Sequence, residues 1–389
     1  MTSETDLVIA LSRTPLGNKA RKRAQELLNQ GVDWNLVLPL AAQWRVEPTV
    51  FGNLGSEFSP AMPADVRADV AALEKKSRAY AVSRNLILLD IVRELRGSGI
   101  PVLVLKGPSI AVTAYDDCSK RIFSDADLLV RRQDLGRARD LVLARGYTAS
   151  FQSERESALI AGQDALEFTD SRMAVELHWT LISRHLRFNL DVDELWRRAV
   201  EIECLGSKIR ALAPDHQFLY LCAHGAKHEW GGFRWICDVA QLSQRLSAEQ
   251  AASVVKLAER ANAKRLLSLG LRIVRELYGD EDSPFPPDAF RSEHETSRLV
   301  ALVTSRLTSG SDTSPTPTLL PRRVARVHQY MEPLAFWIQS RERLTDRMAI
   351  AAQFLFRPAA GDNSRNQIQR VFRPIRLAAN ALRRFAHAS

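Results

Sequence analysis

The chain has 389 residues, of which 46% are hydrophobic and 25% charged, and a formal net charge of +9. This composition is typical of a folded protein with two or three domains. No apolar run approaches the roughly 20 residues that a membrane-spanning helix requires, and the polar, acidic residues 1–6 are unlike a signal peptide. We therefore exclude an integral membrane protein and expect a cytoplasmic location.

The first part of the chain is predicted to be helical. Apolar residues recur at helical spacing over residues 19–30, 33–44 and 63–95. Asp33 is a suitable N-cap, and Gly97 follows the third segment, as is common at helix ends. Residues 1–78 are predicted to form an N-terminal helical region.

A strand, a glycine turn and a helix are predicted next. The buried strand 102–105 leads into Lys106, Gly107 and Ser109, and a helix continues over residues 110–115. Unpaired backbone N–H groups and the positive end of a helix dipole would then meet at a place that suits a phosphate. Lys106 would add charge, Gly107 would allow close approach, and Ser109 would donate a hydrogen bond. The alternative is an ordinary strand-to-helix turn; the Walker pattern is absent, which excludes a P-loop NTPase here.

Two aspartates, Asp125 and Asp127, stand where the sequence enters another strand-like run. Residues two apart in a strand share one face, so their carboxylates would lie side by side. Such carboxylates repel each other unless a cation lies between them, and Mg²⁺ prefers carboxylates and substrate phosphates as ligands. The pattern indicates phosphoryl or nucleotidyl chemistry, and a solvated surface turn is the alternative. Arg121, four residues earlier, is a candidate clamp for phosphate charge.

A third carboxylate, Glu176, lies in the alternating segment 173–179 together with His178. On a neighbouring strand it would complete a site of the two-metal type. A half-exposed strand with a solvated polar face is the alternative. Because Mg²⁺ prefers oxygen ligands, His178 is expected to orient Glu176 or contact substrate.

Short helices and a hairpin complete the predicted catalytic region, residues 79–213, and helices return in residues 214–320. The predicted helices are 134–145, 191–198, 215–227, 233–245, 248–261, 264–278 and 288–307, and the hairpin pairs residues 200–205 with 208–213. Residues 309–317 are predicted to form a polar loop. The four scattered cysteines, without a C-x-x-C pair, are expected to be reduced thiols.

Two clusters in the later helices have both structural and functional interpretations. His224 and His228 have zinc-ligand spacing, but no third ligand is evident nearby, so a structural or substrate-cleft role is favoured. The aromatic residues Trp230, Phe233 and Trp235 are expected to pack in a helical core rather than to stack on bases.

These residues together resemble the DNA polymerase beta-like nucleotidyltransferase superfamily. The sequence is similar to a bacterial family known as uncharacterised nucleotidyltransferases over residues 80–245. The shared residues are Leu105-Lys106-Gly107, Tyr115, Arg121, Asp125 to Val130, Gly146-Tyr147, Glu176-Leu177-His178-Trp179, His224, His228, Trp235 and Asp238. Pro108 and Ser109 replace the tight Gly-Ser pair of better-known superfamily members.

The resemblance implies an α+β fold, with a small mixed β-sheet core flanked by N-terminal and C-terminal helical domains. It implies transfer of a nucleoside monophosphate from an NTP, with ATP as the first expectation, to an unidentified small molecule, peptide, protein or RNA. Magnesium, or manganese in its place, would bind to Asp125, Asp127 and Glu176. Helices 214–320 would face the acceptor, with His178, His224, His228 and Asp238 as candidate cleft residues. The alternative is a catalytically silent relative that binds nucleotide, RNA or a protein partner.

The positive charge is concentrated at the end of the chain. Residues 321–389 contain 13 arginines, no lysine and four acidic residues, so this segment carries the whole formal excess of +9. It is predicted to be a basic helical tail. An anionic partner is one interpretation; the other is arginines that face solvent or pack on the catalytic domain.

Overall fold

The structure, a computed structural model, describes residues 1–149, 165–183, 186–279, 283–291, 293–308 and 334–356. Its strands are β1 (Val102–Val104), β2 (Asp125–Val130), β3 (Thr148–Ala149), β4 (Ala165–Thr169), β5 (Ala174–His178), β6 (Val200–Cys204) and β7 (Ser207–Ala211). The helices are α1 (Ser3–Leu11), α2 (Asn18–Gln30), α3 (Trp34–Gln43), α4 (Glu47–Glu57), α5 (Ala64–Gly97), α6 (Pro108–Tyr115), α7 (Leu135–Ala144), α8 (Val192–Arg198), α9 (Pro214–Lys227), α10 (Phe233–Ser243), α11 (Ala248–Arg260), α12 (Lys264–Tyr278), α13 (His294–Thr308) and α14 (Leu344–Phe356).

All seven strands form one mixed sheet in the order β3-β4-β5-β2-β1-β7-β6. The central strand β2 runs parallel to β5 and antiparallel to β1. The parallel pairing sets Asp127 opposite Glu176, and Leu129 opposite His178. Because neighbouring residues in register point to the same face, the polar ends of β2 and β5 are brought together.

The two faces of the sheet are covered by different helices. Ala126, Leu128 and Val130 of β2 belong to a core with α5 and α7, to which Leu88 and Leu135 contribute. The alternate residue Leu129 packs instead into the core formed with the N-terminal and C-terminal helices. Period-two alternation therefore places the carboxylates of β2 on the face that looks toward α9 and α10.

The α+β class is confirmed, with many helices around one mixed sheet. Most predicted helices are present within two residues, but α1 and α4 were not predicted. The single helix expected over residues 288–307 is wrong: a 3₁₀ turn at Pro287–Phe290 precedes α13, which begins at His294. Helix α5 runs continuously through the predicted boundary at residue 78, and the domain division stays a prediction.

The expectation that all cysteines are free thiols is also wrong. Cys118 and Cys204 form a disulfide across 86 residues of sequence, whereas Cys222 and Cys237 are free and buried. Sequence spacing did not reveal the pair because it joins the segment after α6 to the edge strand β6.

In the described part of the chain, no helix combines the length and apolar character needed to cross a membrane. The predicted polar loop at 309–317 and most of the predicted basic tail lie outside the described residues.

Candidate active site

Two neighbouring strands present the central carboxylates of the site. Asp127 on β2 is 1% exposed, and Glu176 on β5, its partner in register, has a side chain that is 32% exposed. Asp125, two residues before Asp127, is partly exposed and accepts a hydrogen bond from Ser124 Oγ at 3.0 Å. All three carboxylates line one cleft of about 200 Å³. The structure therefore brings together the three acidic residues that the sequence singled out.

A lysine and a histidine surround the buried carboxylate. Lys106 Nζ lies 2.7 Å from Asp127 Oδ1, and His178 Nε2 lies 3.3 Å from the same oxygen. His178 Nε2 is also 3.0 Å from Glu176 Oε2, so the imidazole bridges the two acids. The contact between His178 and Glu176 is the one expected for a residue that orients the carboxylate.

These contacts shift the protonation equilibria in opposite directions. Burial raises the pKa of Asp127, but the Lys106 charge and the contact with His178 outweigh burial and hold that pKa well below its usual range. Burial lowers the pKa of His178, but hydrogen bonds to Asp127 and Glu176 outweigh it and raise the pKa to about 9. Asp127 is therefore ionised at neutral pH.

The turn between β1 and α6 has a conformation that requires glycine. Gly107 is the residue before the helix and has φ of 65°, in the left-handed region. A Cβ at this position would also lie 3.2 Å from the Phe123 ring. Lys106 and Gly107 line the cleft. Ser109 is fully buried and accepts a hydrogen bond from Gln217, away from the residues that line the cleft, so its role as a phosphate donor stays a prediction.

Arg121 is tied to the helical part of the molecule. Its Nε and Nη2 donate to the two carboxylate oxygens of Asp238 on α10, at 2.8 and 2.7 Å. Tyr115 at the end of α6 donates to the same carboxylate at 3.0 Å. Arg121 still lines the cleft, whereas Asp238 is completely buried behind it. Asp238 therefore acts on the cleft through Arg121 and does not line it.

Helices α9 and α10 form the opposite wall of the cleft. His224 and His228 lie on α9 and just after it, with ring centroids 4.7 Å apart, and Trp235 of α10 contacts both rings at 5.5 and 5.0 Å. His224 Nε2 is 3.5 Å from Lys106 Nζ. Burial, followed by the Lys106 charge, lowers the pKa of His224 well below its usual range. His224 is therefore neutral beside the lysine. Among the residues that the structure describes, no third metal-binding side chain lies close enough to His224 and His228 to complete a metal site.

The aromatic cluster divides between core and cleft. Trp230 and Phe233 are each 1% exposed and belong to the helical core, as expected. Trp235 also packs against this core, as expected, but it is partly exposed and lines the cleft as well. Sequence spacing could not separate the three because all of them pack against helices.

Two arginines near the carboxylates were missed by sequence reasoning. Arg234, at the start of α10, lines the cleft and donates from Nη1 to the Ile122 carbonyl at 2.8 Å. Arg45, between α3 and α4, donates to Ser124 Oγ at 3.1 Å. The sequence carries one signal for the first of them: Arg234 lies one helical turn before Asp238, so it reaches the same side of α10.

A divalent metal fits the arrangement of these side chains. Ligand atoms of Asp127, Glu176 and His178 lie within 4.8 Å of one another. The Lys106 ammonium beside Asp127 marks a position that already holds a positive charge. Carboxylate oxygens suit a hard cation such as Mg²⁺. Asp125 is not part of this compact group, although it lines the same cleft.

A mixed sheet carries an Asp-x-Asp strand beside a third acidic strand, and a glycine turn opens a helix at the same cleft, which is consistent with a nucleotidyltransferase core. The family described as "Uncharacterised nucleotidyltransferase" matches residues 30–279. The chain belongs to this family, and the match extends beyond the region 80–245 in which the resemblance was seen. No curated protein matches the chain.

Proposed function

We propose that the protein is a Mg²⁺-dependent nucleotidyltransferase that moves a nucleoside monophosphate from an NTP to an acceptor hydroxyl. The observation that carries the proposal is the register of β2 and β5, which sets Asp127 beside Glu176 at the cleft. Family membership supports the general class of reaction. ATP is the first donor to test, and small molecules, peptides, proteins and RNA remain acceptor classes.

Asp125, Asp127 and Glu176 are the residues that would hold the metal, with manganese as the alternative ion. When bound, Mg²⁺ neutralises triphosphate charge and stabilises the transition state of phosphoryl transfer. Lys106 and His178, whose pKa is raised to about 9, are the protein's own cations beside Asp127. Lys106 Nζ lies 2.7 Å from Asp127, so the charge of the lysine already stands at the cleft that a triphosphate would enter.

The transfer itself exchanges one phosphorus–oxygen bond for another. The acceptor oxygen attacks the α-phosphorus, the bond from the α-phosphorus to the bridging oxygen breaks, and pyrophosphate leaves with the electron pair. Glu176 is the candidate base for the hydroxyl proton, because its carboxylate is partly exposed at the cleft. His178 holds that carboxylate in place through its 3.0 Å contact.

One observation favours a second candidate, a catalytically silent protein that binds nucleotide, RNA or a protein partner. The Lys106–Asp127 ion pair occupies the carboxylate that a metal would use. In such a protein the lysine would remain there, and nucleotide binding would not depend on the metal.

The two candidates are separated by a screen of the four NTPs with Mg²⁺ and acceptor pools, with pyrophosphate release as the readout. We expect release that needs Mg²⁺ and is lost in Asp127→Asn. The matched control is Glu203→Gln, because Glu203 is an exposed carboxylate on strand β6 of the same sheet. This variant should keep full activity. NTP binding that is identical with and without Mg²⁺, in the absence of any release, would favour the silent protein.

A further inference from the structure

Arg121 has one guanidinium nitrogen that its buried ion pair does not use. The Asp238 carboxylate accepts hydrogen bonds from Nε and Nη2 of Arg121. The remaining nitrogen, Nη1, is buried and has no hydrogen-bond partner among the residues that the structure describes. Arg121 is 4% exposed and lines the cleft. An arginine held in this way is fixed in orientation and keeps a donor available for a ligand.

Arg234 presents a second donor of the same kind. Its Nη1 donates to the Ile122 carbonyl, whereas its Nε is buried and also lacks a hydrogen-bond partner within the described segments. Arg234 lines the same cleft as Arg121. Unsatisfied buried donors cost about 1–3 kcal/mol each, and an anion bound in the cleft would satisfy both of these.

The charges around Arg234 come from four elements. Arg121 faces it from the segment before β2, Asp125 from the first position of β2, Asp238 from α10 itself, and Arg45 from the turn before α4. Burial first, and then the Arg121 charge, lower the pKa of Arg234 to about 10. Burial raises the pKa of Glu47 on α4 to about 7, although the charges of Arg45 and Arg234 act to lower it. At neutral pH this carboxyl is only partly ionised, so it does not fully balance the guanidinium groups.

The unpaired donors lie beside the turn predicted to hold phosphate. Phe123, two residues after Arg121, packs against Gly107, which directly precedes helix α6. Lys106 and Gly107, the residue before α6, line the same cleft as the two arginines. An anion with several oxygens is the ligand that these groups suit.

We propose that Arg121 and Arg234 form the subsite for the terminal phosphates of the NTP, with Asp238 and Tyr115 as positioning residues for Arg121. This inference rests on the proposed function and assigns a ligand to Arg234, a residue of the helical wall. The ligand class is a polyphosphate, and its smallest member is the pyrophosphate that the reaction releases. Bidentate and multidentate contacts of arginine with phosphate oxygens are well suited to this task.

Pyrophosphate binding tests the subsite without requiring an acceptor. The dissociation constants of inorganic pyrophosphate and of ATP, each with Mg²⁺, are measured by isothermal titration calorimetry on the full chain. Wild type is compared with Arg234→Gln and Arg234→Lys. We expect Arg234→Gln to lower the affinity for both ligands by about tenfold or more, which is the usual effect of losing a charge-assisted hydrogen bond. Arg234→Lys should recover part of the loss, because it restores the charge but not the planar fork.

Arg93→Gln is the matched control, since Arg93 is an exposed arginine on α5 that does not line the cleft. Circular dichroism and thermal unfolding establish that each variant is folded. If wild type binds ATP but Arg234→Gln binds ATP and pyrophosphate equally well, the subsite is wrong and the proposed function stands. If wild type binds neither ligand with Mg²⁺, the proposed function itself fails.

Discussion

Asp127 and Glu176 face each other in register across the parallel strands β2 and β5, and His178 bridges their carboxylates. A slip of one residue in either strand would turn one carboxylate to the opposite face of the sheet. The pairing is therefore what assembles the acidic part of the cleft from segments almost fifty residues apart.

Removal of the buried carboxylate should abolish transfer. Asp127→Asn keeps the shape of the side chain but removes the charge that pairs with Lys106 and would bind the metal. We expect a loss of about a thousandfold or more in kcat/KM, equal to several kcal/mol of transition-state stabilisation. Asp125→Ala is expected to have a similar effect. Near-normal activity in a variant with an unchanged circular dichroism spectrum would show that the carboxylates do not carry the chemistry.

Lys106→Met should raise the affinity for a divalent metal and lower the affinity for ATP. In wild type, Lys106 Nζ competes for Asp127, so its removal frees the carboxylate for a divalent ion. We expect Mn²⁺ affinity, measured by electron paramagnetic resonance, to rise about 10- to 100-fold, since an interaction between charged groups of this kind contributes about 1.5–3 kcal/mol. ATP affinity should fall, because the phosphate-binding cation is lost. Unchanged Mn²⁺ affinity would mean that the ion does not bind at Asp127.

His178→Gln should reduce activity without removing the metal requirement. The imidazole Nε2 lies 3.0 Å from Glu176 Oε2, and in the proposed enzyme this contact would orient the carboxylate. Residues in such outer positions typically change activity by about 10- to 100-fold. Mg²⁺ titrations of the initial rate in wild type and variant provide the measurement. A crystal structure with a metal bound directly to His178 would overturn this role and indicate a transition-metal site.

Gly107→Ala should be destabilising for two separate reasons. The residue has φ of 65°, and a Cβ would meet the Phe123 ring at 3.2 Å. We expect a loss of about 1–3 kcal/mol in the free energy of unfolding, measured with urea, together with weaker ATP binding. Gly97→Ala is the control: Gly97 is the last residue of α5, and a Cβ there meets nothing within 4 Å. Equal stability of both variants would contradict the argument from the turn.

Breaking the buried pair Arg121–Asp238 should be strongly destabilising. Its side chains are 3% and 0% exposed, so Asp238→Ala leaves a buried guanidinium without its carboxylate. We expect a loss of about 3–5 kcal/mol in the free energy of unfolding. Asp193→Ala removes a carboxylate that is 67% exposed and pairs with Arg131, and should change stability by about 1 kcal/mol or less. Similar losses in both variants would show that burial does not matter here.

Local patterns were sufficient to predict the acidic strands and the strand-turn-helix unit. Alternation placed Asp125 with Asp127 and Glu176 with His178, because residues two apart in a strand share a face. Helical periodicity located most of the later helices, including α12 at its observed bounds. These features depend on residues close together in the sequence.

Contacts between distant segments could not be predicted in this way. Arg121 and Asp238 were both singled out by the resemblance to the nucleotidyltransferase family. Their ion pair could not be predicted, because it joins residues 117 positions apart in the sequence. Arg234 lines the cleft because α10 packs beside it, and Arg45 reaches Ser124 from the turn before α4. The disulfide of Cys118 with Cys204 depends on the order of the strands in the sheet. Spacing within a segment contains no information on such packing.

The most direct test of nucleotidyl transfer is to follow the label from ATP that carries ³²P at either the α- or the γ-position. The protein is incubated with Mg²⁺ and separate pools of metabolites, peptides, proteins and RNA. We predict an acceptor product labelled from α-³²P only, formed by wild type and Glu203→Gln and absent with Asp127→Asn. A product labelled from the γ-position, or an α-labelled product that persists in Asp127→Asn, would contradict the account.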